Sequence, residues 1–165
     1  MANVLAGRLF ASHYQIMICD SLDRSISDGE NWDDEKVALG FAGGLSCRLI
    51  GTEADLNDHW VELLESEHPP NIEEWQRITC VSFHSETGLL LLMSVIDDEP
   101  LLQMSIGKGH FSVYVAANNL GVDQLSLQEE KELEDEELAK RKDLEWYRVF
   151  VVSGIPSQEG RIRDV

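Results

Sequence analysis

Histidine is the side chain best suited to acid–base or metal chemistry near neutral pH, and the chain has five. None stands in a spaced ligand signature such as His-Glu-x-x-His. His13, His84 and His110 fall in or beside predicted strands, where we expect hydrogen-bonded structural roles. The sequence therefore predicts no catalytic residue. A pocket in which histidines and carboxylates meet only after folding stays open as an alternative.

Two carboxylate triplets, at 33–35 and 97–99, offer oxygen atoms to a hard cation. Both lack the alternating ligands and the glycine of an EF-hand loop, which favours a helix start and a solvated loop. No Gly-x-Ser-x-Gly motif occurs. Cys19, Cys47 and Cys80 lie far apart within apolar runs, which predicts buried reduced thiols. We therefore expect no metal, no cofactor and no enzymatic activity.

Short apolar runs separated by turn residues are the elements that would position any site. Hairpin spacing favours antiparallel pairing, because parallel sheets need a helical crossover after nearly every strand. The chain is thus predicted to be mainly β, an antiparallel β-sandwich of about eight strands. The predicted strands are residues 9–19, 45–50, 59–64, 77–83, 89–95, 101–106, 109–116 and 145–152.

Two segments depart from this β pattern. Residues 33–42 have acidic residues in a first turn, then apolar residues at helical spacing, which predicts one short helix. Residues 125–143 form an acidic excursion between two predicted strands. Its i,i+4 acid–base pairs favour a helical conformation. With 43% hydrophobic residues in 165, we expect residues 1–165 to form a single domain.

The strongest compositional feature is a net charge of −18. Eight carboxylates and no Lys or Arg lie between Thr52 and Gln76. Such a field repels nucleic acid, so we expect a basic protein partner and no direct binding of DNA. Plain solubility is the alternative explanation. The start of the chain lacks a secretory pattern and no long apolar run follows, so we expect a cytoplasmic protein and no membrane contact.

Aromatic anchors beside acidic loops would make the best contacts with a basic partner, because tryptophan supplies many interface hot spots. Trp32 and Trp75 both adjoin acidic residues, with core packing as the alternative role. Exposed strand edges leave the protein a monomer or a dimer. The predicted partner-binding residues are Trp32, Asp33, Asp34, Glu35, Glu53, Asp55, Asp58, Trp75, Glu129, Glu130 and Glu134.

Three segments, 12–16, 31–42 and 109–115, carry a resemblance to a known family. They read Ser-His-Tyr-Gln-Ile, Asn-Trp-Asp-Asp-Glu-Lys-Val-Ala-Leu-Gly-Phe-Ala and Gly-His-Phe-Ser-Val-Tyr-Val, and in this order the chain resembles the competence protein J (ComJ-like) family. The resemblance implies a small β-rich protein that binds and inhibits a nuclease. The excursion 125–143 departs from the family pattern, and no inhibitory residues carry over. A β-sandwich that binds a small ligand, or an enzyme with a hidden His/carboxylate pocket, is the alternative.

Overall fold

The computed structural model describes residues 4–11, 14–21, 33–53, 57–95, 97–120 and 145–164. Within these residues there are eleven strands, one α-helix (α1, Asp34–Leu39) and one 3₁₀ turn (Ile72–Glu74). The strands are β1 (Leu5–Ala11), β2 (Gln15–Cys19), β3 (Phe41–Gly44), β4 (Cys47–Gly51), β5 (Asn57–Glu65), β6 (Arg77–Ser85), β7 (Leu89–Ser94), β8 (Leu102–Ser105), β9 (Gly109–Asn118), β10 (Trp146–Ser153) and β11 (Gly160–Asp164).

The strands form two sheets, a six-stranded one in the order β1-β5-β10-β9-β6-β11 and a five-stranded one in the order β3-β4-β2-β7-β8. All pairs are antiparallel except β5 with β10, where Trp60 lies opposite Trp146. The connection between these two parallel strands is long and contains β6, β7, β8 and β9, so no single helical crossover is needed. The predicted mainly β, sandwich-like architecture is confirmed.

The main core lies between the sheets. Alternate residues of each strand point inward, as the twofold period of a β-strand requires. The six-stranded sheet contributes Leu9, Val61, Phe83, Val113 and Val149, and the five-stranded sheet contributes Ile16, Ile18, Ile50, Leu90 and Leu92, all of them buried. Helix α1 contacts β3 of one sheet and β11 of the other. Among the described helices, none is long and apolar enough to cross a bilayer.

Three elements differ from the sequence prediction. The run 9–19 is two strands in different sheets, divided near Tyr14, which adopts a positive φ of 58°. The helix predicted to reach residue 42 ends at Leu39, because Gly40 caps it in the left-handed conformation (φ 87°) and β3 follows at once. Strand β11 was not predicted, since its charged residues hide the alternation. The excursion 125–143 lies outside the described residues.

The cysteines also differ from expectation. Cys19 and Cys47 lie directly opposite each other on β2 and β4, with Cα atoms 4.1 Å apart, and they are joined as a disulfide. The expectation of three reduced thiols is therefore wrong for this pair, which strand register brings together across 28 residues. Cys80 is a buried free thiol, as predicted.

A long connection crosses the six-stranded sheet. Strands β5 and β6 run in the same direction, since β10 is parallel to β5 and β9 is antiparallel to both β10 and β6. Residues 66–76, here called the crossover, return the chain to the opposite end of the sheet. The Ser66 N–H donates to the Val151 carbonyl (2.9 Å), and the Gln76 N–H donates to the Ala117 carbonyl (3.1 Å).

Candidate functional site

The crossover carries exposed carboxylates. Glu67, Glu73 and Glu74 are all solvent-exposed, and the 3₁₀ turn that holds the latter two is capped by the Asn71 side chain, which accepts from the Glu73 N–H (3.2 Å). None of the three side chains forms an ion pair with another described residue. We call them the crossover carboxylates. Their charge is available to a partner.

An aromatic cluster lies beneath the end of the crossover. Along β10, Tyr147, Val149 and Val151 enter the core, so Trp146 and Phe150 point to the outer side of the sheet. Trp75 packs edge-on against both rings, with centroids 5.0 Å from Trp146 and 6.1 Å from Phe150. The crossover therefore runs over the outer face of the six-stranded sheet.

This outer face keeps aromatic surface in contact with solvent. Trp60, Tyr114, Trp146 and Phe150 are each only partly buried, whereas Trp75 is 4% exposed. We call these five residues the outer aromatic face. Large aromatic side chains with one side packed and one side wet are typical of protein interfaces.

One arginine already occupies the outer aromatic face. The Arg148 guanidinium carbon lies 5.5 Å from the Trp75 ring centroid and 5.6 Å from that of Trp146, which is cation–π distance. Its Nε and Nη2 both donate to Oε1 of Glu62, each at 3.1 Å. The Glu62 side chain is 5% exposed, so the pair is well shielded on the carboxylate side. The face thus accommodates a guanidinium between two indole rings and a carboxylate.

A second polar cluster lies at the start of β6. The buried Arg77 side chain donates from Nη2 to Glu53 and from Nε to Asp164 (3.1 Å). Burial lowers the pKa of the Arg77 guanidinium, but hydrogen bonds and charges from Glu53 and Asp164 outweigh burial and hold that pKa above its ordinary value. The charge of Glu53 is therefore compensated within the protein.

A buried carboxylate links this cluster to the core. Glu145 is fully buried and accepts from the Tyr147 hydroxyl and from the Glu53 N–H (2.9 Å). Burial first, and the Glu145 charge second, raise the pKa of Tyr147 well above its ordinary value. His59, also fully buried, places Nε2 3.7 Å from Glu145 Oε1. Histidine and carboxylate do meet here, but both side chains are fully buried.

The remaining histidine pair lies elsewhere. His84 and His110 are opposite each other on β6 and β9, with ring centroids 4.4 Å apart. Within the described part of the chain, no group of three or more His, Cys, Asp or Glu side chains is placed to hold a metal ion. The pocket of the alternative interpretation therefore gains no support from the described residues.

The structure divides the predicted partner-binding residues into separate places. Asp33 caps α1 by accepting from the Lys36 N–H (2.8 Å), and Asp34 and Glu35 are exposed in its first turn. Trp75 is packed in the aromatic cluster, which corresponds to the core-packing alternative. Glu53 is paired with Arg77, and Asp58 lies in β5 without a described side chain. The other predicted residues lie outside the described part of the chain: Trp32, Asp55, Glu129, Glu130 and Glu134.

The sequence prediction missed the aromatic and cationic residues of the outer face. Trp60, Arg148 and Phe150 were read only as members of strands. The available signal was the alternation of β10, which places Trp146, Arg148 and Phe150 on the side opposite to Tyr147 and Val149. That alternation leaves an aromatic stripe that the core does not use.

The comparisons with known proteins agree with this architecture. The crystal structure of ComJ from Bacillus subtilis, an inhibitor of the DNA degrading activity of NucA, matches with a TM-score of 0.65 and 15% identity, over 93% of this chain and 99% of that chain. A protein described as crocagin biosynthetic gene J matches with a TM-score of 0.54 and 18% identity, over 96% and 99% of the two chains. A search of curated proteins finds no match. The model of the family described as Competence protein J (ComJ) matches residues 8–138, most of the sequence, so the resemblance is confirmed and the chain belongs to the ComJ family.

Proposed function

We propose that this protein is an inhibitor that binds a DNA-degrading nuclease and is not itself an enzyme. Membership in the ComJ family carries the proposal, and the fold it shares with nearly the whole of the B. subtilis inhibitor supports it. The nuclease is the partner, the cytoplasm is the place of action, and inhibition is by direct contact.

The charge of the protein supports this mode of action. A nuclease must hold DNA phosphates in a cationic groove, so a surface rich in carboxylates can occupy that groove in place of DNA. The net charge of −18 provides such a surface, and exposed carboxylates lie at the start of α1 and on the crossover. Long-range attraction raises the rate of encounter, while packed aromatic contacts slow dissociation.

A DNA-degradation assay tests the proposal. Fluorescently labelled duplex DNA is incubated with B. subtilis NucA, and separately with each DNA-degrading fraction resolved by cation exchange from the cell that makes this protein. Purified protein is then added at increasing molar ratio, with B. subtilis ComJ as the positive control for NucA. We expect inhibition of at least one nuclease at about one equivalent, and a complex of the two proteins on size exclusion at low salt.

Measurements at several salt concentrations test whether the association of the two proteins depends on electrostatic attraction. Raising the ionic strength shortens the Debye length from about 10 Å at 0.1 M to about 3 Å at 1 M, so the association rate should fall strongly. If no nuclease is inhibited at about tenfold excess while ComJ inhibits NucA in the same buffer, the proposal is wrong.

A further inference from the structure

We propose that the crossover carboxylates and the outer aromatic face form one docking surface that receives arginine- or lysine-bearing segments of the partner nuclease. This inference rests on the proposed function and deepens it, because it selects one of the acidic places on the molecule as the contact. The competing places are the start of α1 and the loop between β7 and β8.

Charge is the first argument. Glu67, Glu73 and Glu74 are exposed and form no ion pair with any described residue, whereas the carboxylate of Glu53 is taken up by Arg77. Glu74 adjoins Trp75 and Glu73 precedes it, so two of the three charges lie within two residues of the aromatic cluster. A cluster of carboxylates commonly serves only to keep a surface hydrated. Here the cluster borders the outer aromatic face, whose rings attract cations.

The chemistry of the face is the second argument. Arg148 shows that a guanidinium group fits against Trp75 and Trp146 while it bonds to Glu62. A partner arginine that approaches the still exposed parts of Trp146, Phe150 or Trp60 would meet aromatic rings, with the crossover carboxylates in place of the buried Glu62. Arginine and tryptophan are also the residues most enriched among interface hot spots.

Rigidity is the third argument. The aromatic rings are held by central strands of the six-stranded sheet, with β10 paired on both sides to β5 and β9. The crossover is fixed at its end by the Asn118 side chain, which donates to the Glu74 carbonyl (3.1 Å) and accepts from the Gln76 N–H (2.9 Å). A surface that is ordered before binding loses little conformational entropy in the complex.

The test compares three double charge reversals that change the net charge equally. Glu73→Lys with Glu74→Lys alters the proposed surface, Asp98→Lys with Glu99→Lys alters the exposed loop before β8, and Asp34→Lys with Glu35→Lys alters the exposed start of α1. Each is titrated against the nuclease that the wild type inhibits, and against octa-arginine with the protein's tryptophan fluorescence as readout. Urea melts confirm that all three variants fold.

We expect the crossover variant to require at least about tenfold more protein for half-inhibition, and the loop and α1 variants each to change by less than about threefold. Octa-arginine should quench tryptophan fluorescence in the wild type and the loop variant, but far less in the crossover variant. Equal weakening by all three variants would show a general field effect and overturn the inference. So would a crossover variant that inhibits like the wild type, and the proposed function would then still stand. A wild-type protein that inhibits no nuclease overturns both.

Discussion

Asp20 offers a quantitative test of how the two sheets are held together. It follows β2 of the five-stranded sheet and accepts four hydrogen bonds from the turn that connects β6 to β7. Oδ1 accepts from the Ser85 hydroxyl (2.8 Å), the Thr87 hydroxyl (2.7 Å) and the Thr87 N–H (3.1 Å), and Oδ2 accepts from the Glu86 N–H (2.9 Å). The Asp20→Asn substitution removes the charge and turns an amide NH₂ toward one of these donors.

The size of the effect follows from these contacts. If the amide oxygen takes the place of Oδ1, the Glu86 N–H loses its acceptor and the bond from the Thr87 N–H becomes neutral. The Ser85 and Thr87 hydroxyls keep alternative acceptors, because the Leu89 and Asp20 carbonyl oxygens each lie 2.9 Å from them. Bonds to charged groups contribute about 1.5–3 kcal/mol and neutral ones about 1 kcal/mol, with imperfect additivity, so we expect a loss of about 2–4 kcal/mol. At an m value of about 2 kcal/mol per molar urea, the midpoint should fall by about 1–2 M.

The pH dependence gives an independent check on Asp20. Burial raises the pKa of the carboxyl, but the hydrogen bonds from Thr87, Glu86 and Ser85 outweigh burial and hold the pKa below 3.8. A lowered folded-state pKa stabilises the protein above the unfolded value, and this contribution is lost as the pH falls through the folded value. The difference between wild type and variant should therefore narrow on acidification below about pH 4.

Urea unfolding monitored by circular dichroism measures both effects, and Asp98→Asn in an exposed loop is the matched control. The control should change stability by less than about 0.5 kcal/mol. If Asp20→Asn is no more destabilising than the control, the four hydrogen bonds do not hold this corner of the sandwich.

Three further predictions concern two buried side chains and one strained glycine. Tyr147→Phe should lower the free energy of unfolding in a urea melt by about 1–2 kcal/mol, because Glu145 loses a hydrogen-bond donor. The substitution should leave the native phenol titration at 295 nm unchanged, because the raised pKa keeps Tyr147 protonated. Loss of a titration step in the variant would contradict this. Burial, and to a smaller extent the Glu159 charge, raise the pKa of Cys80 to about 11, against a hydrogen bond from Tyr114 that lowers it. Ellman's reagent near neutral pH should therefore detect no thiol until the protein unfolds, and rapid native reaction would refute the burial. Gly43→Ala should destabilise by about 1–3 kcal/mol, because φ is +89° and the new methyl group would overlap the Cys47 carbonyl oxygen. Gly44→Ala, which meets no atom within 4 Å, is the control, and equal losses would contradict the strain argument.

Strand positions were predictable where one face of a strand enters the core. The clean alternation of residues 109–116 corresponds to β9 (Gly109–Asn118), and residues 145–152 correspond to β10. Prediction failed where a single backbone conformation decides the outcome. A positive φ at Tyr14 divides one apparent strand into two, and the left-handed Gly40 ends α1 before Phe41.

The candidate site was predictable only in part, because it depends on contacts between distant segments. Charge clustering in the sequence marked the acidic stretch between Thr52 and Gln76, but the predicted partner-binding residues did not include Glu67, Glu73 or Glu74. Charge clustering did not show that Arg77 neutralises Glu53, that Trp75 is buried, or that Trp146 and Phe150 lie beneath the crossover. The Cys19–Cys47 disulfide could not be predicted for the same reason, because only the register of β2 on β4 places the two cysteines opposite each other.

The most direct measurement of the central claim is a titration of the purified protein into a DNA-degrading reaction. The account predicts that degradation by at least one nuclease, either B. subtilis NucA or an activity from the protein's own cell, falls to zero near one equivalent, and that the two proteins associate more slowly as the salt concentration rises. Undiminished degradation at about tenfold excess, under conditions in which B. subtilis ComJ inhibits NucA, would contradict it.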